Sequence, residues 1–409
     1  MKKKLLIIGF VWPEPKSSAA GSRMLQLIDL FQAQHYDITF ASAANSSDRS
    51  FDLSGLGIKV KTIELNHSSF DAFIKDLNPE LVLFDRFMTV EQYGWRVAKN
   101  CPDALRILDM EDFHGLRKAR ELAMKENRAV EISYLQNPIS KREIASMYCC
   151  DLNLVISESE MEILTHDFGF PKEQLYYLPF LIDLTHKSKI EENTFESREN
   201  FISIGNFLHA PNYDAALYLK SEIWPKIRKK MPNAELHVYG AYSSQKILDL
   251  NDYNQGFVIK GFTNDVNRTM SGYRVCLAPL RFGAGLKGKL IDAMVNGTPC
   301  IMSSIAEEGM FGEFEPNGFV EDDSDIFAEK AVQLYKTEEL WKQKQEFGTK
   351  ILKQRFDKSQ FTVPFSEVIA HVKQHLKTYR QHNFIGQILQ LQGFQGTKYL
   401  SKWIELKNS

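Results

Sequence analysis

A regular alternation of short apolar runs with helix-length segments, occurring twice, constrains this chain more than any other feature. In the first half, residues 5–11, 36–41, 58–65, 81–85, 105–109, 153–157 and 175–178 read as strands, and 22–34 reads as a helix after the first loop. Strands kept apart by helix-length connections cannot close as hairpins, so they predict parallel sheets covered by helices. The stretch 186–200, rich in Glu, Lys and Ser, lacks apolar periodicity and reads as a linker. The pattern then restarts, with strands at 201–205, 235–240, 257–261, 275–280 and 300–303 and helices at 212–230, 264–271 and 287–296. The expected architecture is α/β: two Rossmann-like, doubly wound domains over 1–185 and 201–360, facing across a cleft. Helices over 361–409 are expected to pack back on the first domain. Sheets of this kind bind ligands outside the carboxyl ends of their strands, which places the chemistry in the cleft.

Composition narrows the function classes. A net charge of −2 makes the molecule no magnet for nucleic acid. The five cysteines are scattered without a Cys-x-x-Cys pair, which argues against a zinc site or a disulfide framework and for a reduced, cytoplasmic setting. The apolar run after Met1 stops at Trp12-Pro13-Glu14-Pro15 with no small-residue cleavage pattern, so it reads as a core strand rather than a signal peptide. No apolar stretch approaches the roughly 20 residues needed to cross a bilayer.

The segment Arg281 to Pro299 carries the strongest chemical signal. It runs from a strand through a glycine-rich loop into a helix, an arrangement whose free N–H groups and positive helix end attract phosphate. Gly283 and Gly285 allow close backbone approach. Lys287 and Lys289 oppose the macrodipole at a helix start, at a cost of about 0.3–1 kcal/mol each, unless an anion is bound there. Asp292 lies four residues after Gly288 and can share its face, where a carboxylate accepts from ribose hydroxyls. Together these residues point to a nucleoside diphosphate. The plain structural alternative is a solvated Lys–Asp pair beside a flexible loop.

Two places in the first half stand out. The loop from Pro13 to Arg23 follows the first strand; its Gly21 admits a ligand to the backbone and Arg23 could meet an anion. The segment Ile107 to Arg117 ends a strand in Asp109, Glu111, Asp112, His114 and Arg117, charged groups gathered where the cleft should be. A metal site there is weak, since no second His stands at ligand spacing. A capped helix start is the structural alternative.

In order and spacing these pieces resemble the retaining GT-B glycosyltransferases of family four, the group-one glycosyltransferases. Ser203 to Asn212 is similar to the family's first C-domain strand and loop, and Ile259-Lys-Gly-Phe-Thr-Asn-Asp265 to its G-F-x-x-D step. Gly283 to Pro299, followed by Glu308-Gly309, is similar to its donor motif; Val155-Ile-Ser-Glu-Ser-Glu160 and Leu178-Pro179 are similar to its closing N-domain pieces. The resemblance implies transfer of a sugar from a nucleotide sugar, such as a UDP- or GDP-sugar, to a carbohydrate or lipid-linked glycan acceptor. Retention of configuration, no metal, and a part in polysaccharide or glycoconjugate biosynthesis go with it. It implies a donor site of Arg281, Gly283, Gly285, Lys287, Asp292, Gly205, Asn206 and His209. Catalysis falls to His114, Asp112 and Lys287, with Gly21, Arg23, Asp109 and Arg117 on the acceptor side. Asp292 stands where the family usually has a ribose-binding Glu, and Ala284 where it often has a Glu on the donor sugar. Asn206, His209 and Asn212 replace the usual Arg and Lys, leaving Lys287 and Arg281 for the diphosphate. A nucleotide-sugar epimerase, or a non-catalytic partner subunit of the same fold, would share many of these features.

The end of the chain, 384–409, mixes Phe384, Ile388, Leu389, Phe394, Tyr399, Leu400, Trp403 and Ile404 with Lys398, Lys402 and Lys407. It reads as a helix docked on the first domain, with a membrane-surface contact, at the inner face of a membrane, or a subunit contact as the functional alternative.

Overall fold

The computed structural model describes residues 3–185 and 194–408, so 186–193 of the expected linker and the side chain of Phe394 lie outside the described residues. The first sheet contains β1 (Lys3–Gly9), β2 (Tyr36–Ser42), β3 (Lys59–Thr62), β4 (Leu81–Asp85), β5 (Leu105–Asp109), β6 (Leu152–Val155) and β7 (Leu175–Tyr177). All pair in parallel, in the order β3-β2-β1-β4-β5-β6-β7. The second contains β8 (Glu199–Ile204), β9 (Leu236–Tyr239), β10 (Phe257–Gly261), β11 (Tyr273–Ala278), β12 (Cys300–Met302) and β13 (Gly318–Val320), again parallel, in the order β10-β9-β8-β11-β12-β13. Sequence pattern missed β13, because three residues are too few to show a period. In each sheet the order reverses beside its first strand, which opens a crevice at the carboxyl ends of β1 and β4 and of β8 and β11.

The apolar runs are continuous because the strands are covered on both faces. Leu5 to Ile8 of β1 are fully buried. Leu6 and Ile8 join Val82, Phe84 and Leu108 in one core layer, while Leu5 and Ile7 join Leu83 and Ile107 in the other. The second sheet divides likewise, with Ile202, Cys276 and Met302 on one face and Phe201, Val275 and Ile301 on the other.

Helices flank both sheets, among them α1 (Ala19–Ala33), α2 (His114–Lys125), α3 (Pro138–Tyr148), α4 (Glu158–His166), α5 (Ala210–Tyr218), α6 (Gly288–Val295), α7 (Ser359–Gln374) and α8 (Phe384–Asn408). Ser18 starts α1 by accepting from the N–H of Gly21 at 3.1 Å, and Asn137 starts α3 by accepting from Ile139 and Ser140, with Pro138 in the first turn. The chain returns to the first domain through α7, whose Phe365, Ile369 and Val372 are buried in the layer that holds Leu27 and Phe31. Beside it, the backbone near Ile182 meets Asp357: Ile182 N–H donates to Phe356 at 2.7 Å and Lys358 N–H donates to Ile182 at 3.0 Å. The domains also exchange side chains. Ala284 of the second lies in the first domain's core, and Ile156 and Phe180 of the first lie in the second's.

Candidate functional site

Between β11 and α6 the loop enters the cleft. Gly285 has φ of 63°, and a Cβ there would stand 2.8 Å from the Cβ of Asp112 in the other domain, so two separate reasons require glycine. No side chain caps α6, whose entry position is Lys287. The Lys287 side chain is buried, and its Nζ donates to the carbonyls of Ala284 (3.2 Å) and Gly285 (2.5 Å). Burial pushes this ammonium below the usual lysine range, against the opposing pull of Glu308. An uncapped helix start beside a desolvated cation is short of negative charge.

One turn further, burial alone pushes the Asp292 carboxyl up to about 7. Nearby, Lys289 donates to Asn212 Oδ1 at 2.9 Å, and Asn212 Nδ2 donates to the Asn206 carbonyl at 3.0 Å. Gly205 sits directly beneath, where a Cβ would approach Asn212 to 2.5 Å. Burial likewise lowers Lys289, to about 8.

The opposite wall rises from β5. Chain reversal after Asp109 passes through Glu111 in the left-handed region, φ 63°, and Arg86 at the end of β4 is left-handed too, φ 67°. Their side chains pair, Nε to Oε2 at 2.5 Å, and the Arg86 guanidinium stands 5.4 Å from the exposed ring of Phe10. Two non-glycine residues held this way at adjacent strand ends are the kind of strain that collects at functional sites.

His114 opens α2. Its Nδ1 lies 3.0 Å from the Asp112 carbonyl, 3.3 Å from Asp112 Oδ1 and 3.5 Å from Glu143 Oε1. Burial opposes protonation, but Asp112 and Glu143 outweigh it and raise the imidazole above its ordinary value. Glu143 is itself buried on α3 and accepts from the N–H of Gly115 at 3.0 Å. Arg117 pairs with Asp112 and reaches His209 Nε2 of the second domain at 3.2 Å. Against the effect of burial, Arg117 and His114 hold the Asp112 carboxyl well below the usual range.

Three further contacts close the cleft. Glu160 of α4 accepts from Phe113 N–H (2.9 Å) and, across the cleft, from Gly285 N–H (2.7 Å). Arg120 forks onto Glu308 (2.7 Å from Nη1 to Oε2) and donates to the Gly283 carbonyl at 2.9 Å. Tyr242 donates to Glu14 at 2.7 Å. Among the described residues, no three His, Cys, Asp or Glu side chains gather to hold a metal ion.

The structure therefore brings Asp112, His114, Arg117, His209, Gly283, Gly285 and Lys287 together, with Asp292, Gly205 and Asn206 in the second domain. Four expected residues serve otherwise. Arg23 and Asp109 are 1% and 0% exposed and consume each other: Arg23 Nε meets Asp109 Oδ1 at 2.9 Å and Nη1 donates to Leu178 and Pro179 at 2.8 and 3.2 Å. They knit α1 to two strand ends and offer no open acceptor surface. Gly21 is needed because a Cβ would strike the Glu14 backbone at about 2.4 Å. Arg281 pairs with Asp214, 2.9 Å from Nε to Oδ2, and lies over the Tyr218 ring. Glu143, Glu160 and Arg120 were not picked out as site residues. Glu143 had a legible signal, a carboxylate spaced with Ser140 and Met147 on the buried face of a helix.

With this geometry in place, the comparison with known proteins is direct. Residues 198–337 match the family described as Glycosyl transferases group 1. That segment holds β8 to β13 and α6, the second domain's share of the cleft. Sucrose-phosphate synthase from Thermosynechococcus elongatus has the same overall structure, with a TM-score of 0.68 at 14% identity over 91% of this chain and 99% of that one. A mutant of S. aureus TarM, solved with fondaparinux, alpha-GlcNAc-glycerol and UDP, gives 0.67 at 11% over 90% and 99%. Anabaena HepE, solved with UDP and glucose, gives 0.63 at 12% over 90% and 100%. The two facing parallel sheets are thus the GT-B fold. No curated protein matches the chain.

Proposed function

We propose that the protein is a glycosyltransferase that moves a sugar from a nucleoside-diphosphate sugar to an acceptor hydroxyl, with retention of configuration. One observation carries the reading: Lys287 is buried at an uncapped helix start with backbone carbonyls as its hydrogen-bond partners, facing His114 and Asp112 across a closed cleft. A diphosphate supplies the missing negative charge. Lys287 and the α6 N–H groups stabilise it as it departs. Asp292 accepts from the ribose hydroxyls, with Gly205, Asn206 and His209 beside the nucleotide. UDP in the TarM and HepE structures makes uridine the first base to try, with GDP next.

As the diphosphate leaves, the anomeric carbon becomes oxocarbenium-like. The acceptor enters on the departing face and its proton passes to the diphosphate, so no separate base is needed. His114, oriented by Glu143, hydrogen-bonds the donor sugar. Ala284 leaves no carboxylate at the loop tip and seals the cleft by apolar contact. Closure excludes water and limits hydrolysis. On the acceptor side, the strained Arg86–Glu111 pair beside Phe10 offers hydroxyl partners and an apolar face, the chemistry a carbohydrate or glycan needs. A cytoplasmic place in polysaccharide or glycoconjugate synthesis follows from that acceptor class and from five buried, free cysteines.

The test is thermal shift with UDP, GDP, ADP, dTDP and CMP. A ligand at 100 times its Kd adds about 2.7 kcal/mol, a visible shift. A shift with one nucleoside diphosphate that is lost in Lys287→Ala supports the reading. No shift with any of them favours a non-catalytic protein of the same fold.

A further inference from the structure

Helix α8 turns one face onto the first domain and the other to solvent. On the inner side Arg96 donates to Ser401 Oγ at 2.9 Å, Ser68 N–H donates to Glu405 at 3.0 Å, and Leu389 packs against the core. The outer side carries Phe384 (67% exposed), Ile388 (41%), Leu391 (65%), Tyr399 (63%) and Trp403 (58%). Steps of four and three residues gather Phe384, Ile388 and Leu391 into one cluster, and a step of four gathers Tyr399 and Trp403 into a second, both on the outer side of the helix. Two exposed apolar and aromatic clusters on one helix mark a contact.

Charge identifies what it contacts. From Phe384 to the end the chain has three cations, Lys398, Lys402 and Lys407, and one acid, Glu405. Glu405 faces inward to Ser68, whereas Lys398 and Lys407 lie 5.7 and 5.1 Å from the Tyr399 and Trp403 rings on the outer side. A second copy docking through the same clusters would set lysine against lysine with no acid to pair them. A negatively charged lipid surface satisfies both the apolar clusters and the cations. Tyr and Trp with lysine stems suit the boundary between headgroups and acyl chains. No described helix is long and apolar enough to cross a membrane, so the contact lies in the membrane plane. Half-exposed Ile385 connects the outer side to a cavity of about 360 Å³ between α3 and α8, lined by Ile144, Tyr148, Phe168 and Leu389, with Lys141 at its edge.

We propose that α8 is an in-plane membrane anchor: its outer side lies in an anionic lipid surface, and the adjoining cavity receives an acyl chain of that lipid. The full-length protein should float with vesicles of phosphatidylcholine and phosphatidylglycerol, much less with phosphatidylcholine alone, and should be released by salt. Lys398→Gln and Lys402→Gln should each weaken partition about fivefold, the equivalent of about 1 kcal/mol per lysine near an anionic surface. Leu391→Glu and Trp403→Glu should abolish it while thermal unfolding stays unchanged, because both side chains are exposed. Failure to bind anionic vesicles would overturn the proposal. So would equal binding to neutral ones, or a dimer in sedimentation that Trp403→Glu dissolves.

Discussion

Glu160 of the first domain accepts a hydrogen bond at 2.7 Å from the backbone N–H of Gly285 in the second, through the same carboxylate oxygen that accepts from Phe113. A fully buried carboxylate thus latches the loop that enters the cleft. Burial and the nearby Asp112 charge raise its pKa above the ordinary 4.5, while the two N–H donors and Lys287 oppose the rise. The closed form should therefore hold this proton to higher pH than a form that exposes Glu160 to water. Stability of the closed state is fully present below the ordinary value and falls as pH rises through the raised one. Small-angle scattering should report a radius of gyration that grows from pH 6 to pH 9. In Glu160→Gln, which keeps an acceptor oxygen and cannot ionise, that growth should vanish. A radius equally dependent on pH in the variant would remove Glu160 as the latch.

Lys287 carries the opposite sign. Burial lowers its folded pKa, so the protein alone gains stability as pH rises from the lowered value toward the ordinary 10.5. A bound diphosphate restores the charge, so nucleotide affinity should fall across that same range. Lys287→Met should weaken the nucleotide by about 10- to 100-fold, the worth of one charge-assisted hydrogen bond. The unliganded variant should melt no lower than the parent. Calorimetric titration at several pH values checks all three.

At Asp292, burial without a cation beside it raises the carboxyl from 3.8 to about 7, so stability should drop as pH climbs between those values. Asp292→Asn should flatten that slope and raise the melting point at pH 8. The same substitution should weaken nucleoside and nucleoside diphosphate by the same factor. A loss confined to the diphosphate would move the ribose elsewhere.

His114 and Glu143 separate chemistry from binding. His114→Ala should lower kcat by at least about 100-fold, the low end for a positioned acid–base or hydrogen-bonding group, with a small change in donor Kd. Glu143→Gln removes a carboxylate that raises the imidazole, so the NMR titration of His114 should move to lower pH. An unmoved titration would show that Asp112 alone sets it.

Arg281 is the sharpest contrast between sequence and structure. Asp214 engages its half-exposed guanidinium, so Arg281→Ala should leave nucleotide affinity within about twofold, as solvent-exposed ion pairs contribute little. A tenfold loss would mean that the loop rearranges on binding and delivers the guanidinium after all.

Much of this was legible in the linear chain. Leu5 to Ile8 and Val275 to Ala278 are apolar without interruption because both faces of their strands are covered, and that local pattern needs no fold to be read. Gly285, Lys287 and Asp292 stood together because a loop and the helix it opens are built from residues adjacent in sequence. Arg23 and Asp109 looked like free cleft groups because their partnership spans 86 positions and cannot be read from either neighbourhood. Glu160 and Arg120 escape for the same reason, since each acts on a residue of another element, whereas Glu143 shows only as a carboxylate on a buried helix face.

The sequence by itself determined two parallel α/β units, a glycine loop that opens a helix, and the cations and carboxylate along its first turns. These depend on periodicity and on contacts within a few residues. Only the tertiary structure decided which charges are consumed in pairs, which are stranded in the interior, and which loop of one domain closes on the other. Burial sets the electrostatic value of each group, and burial arises only when distant segments pack. Lys287 and Arg281 are both cations of one loop; packing buries the first against carbonyls and leaves the second half-exposed and paired with Asp214.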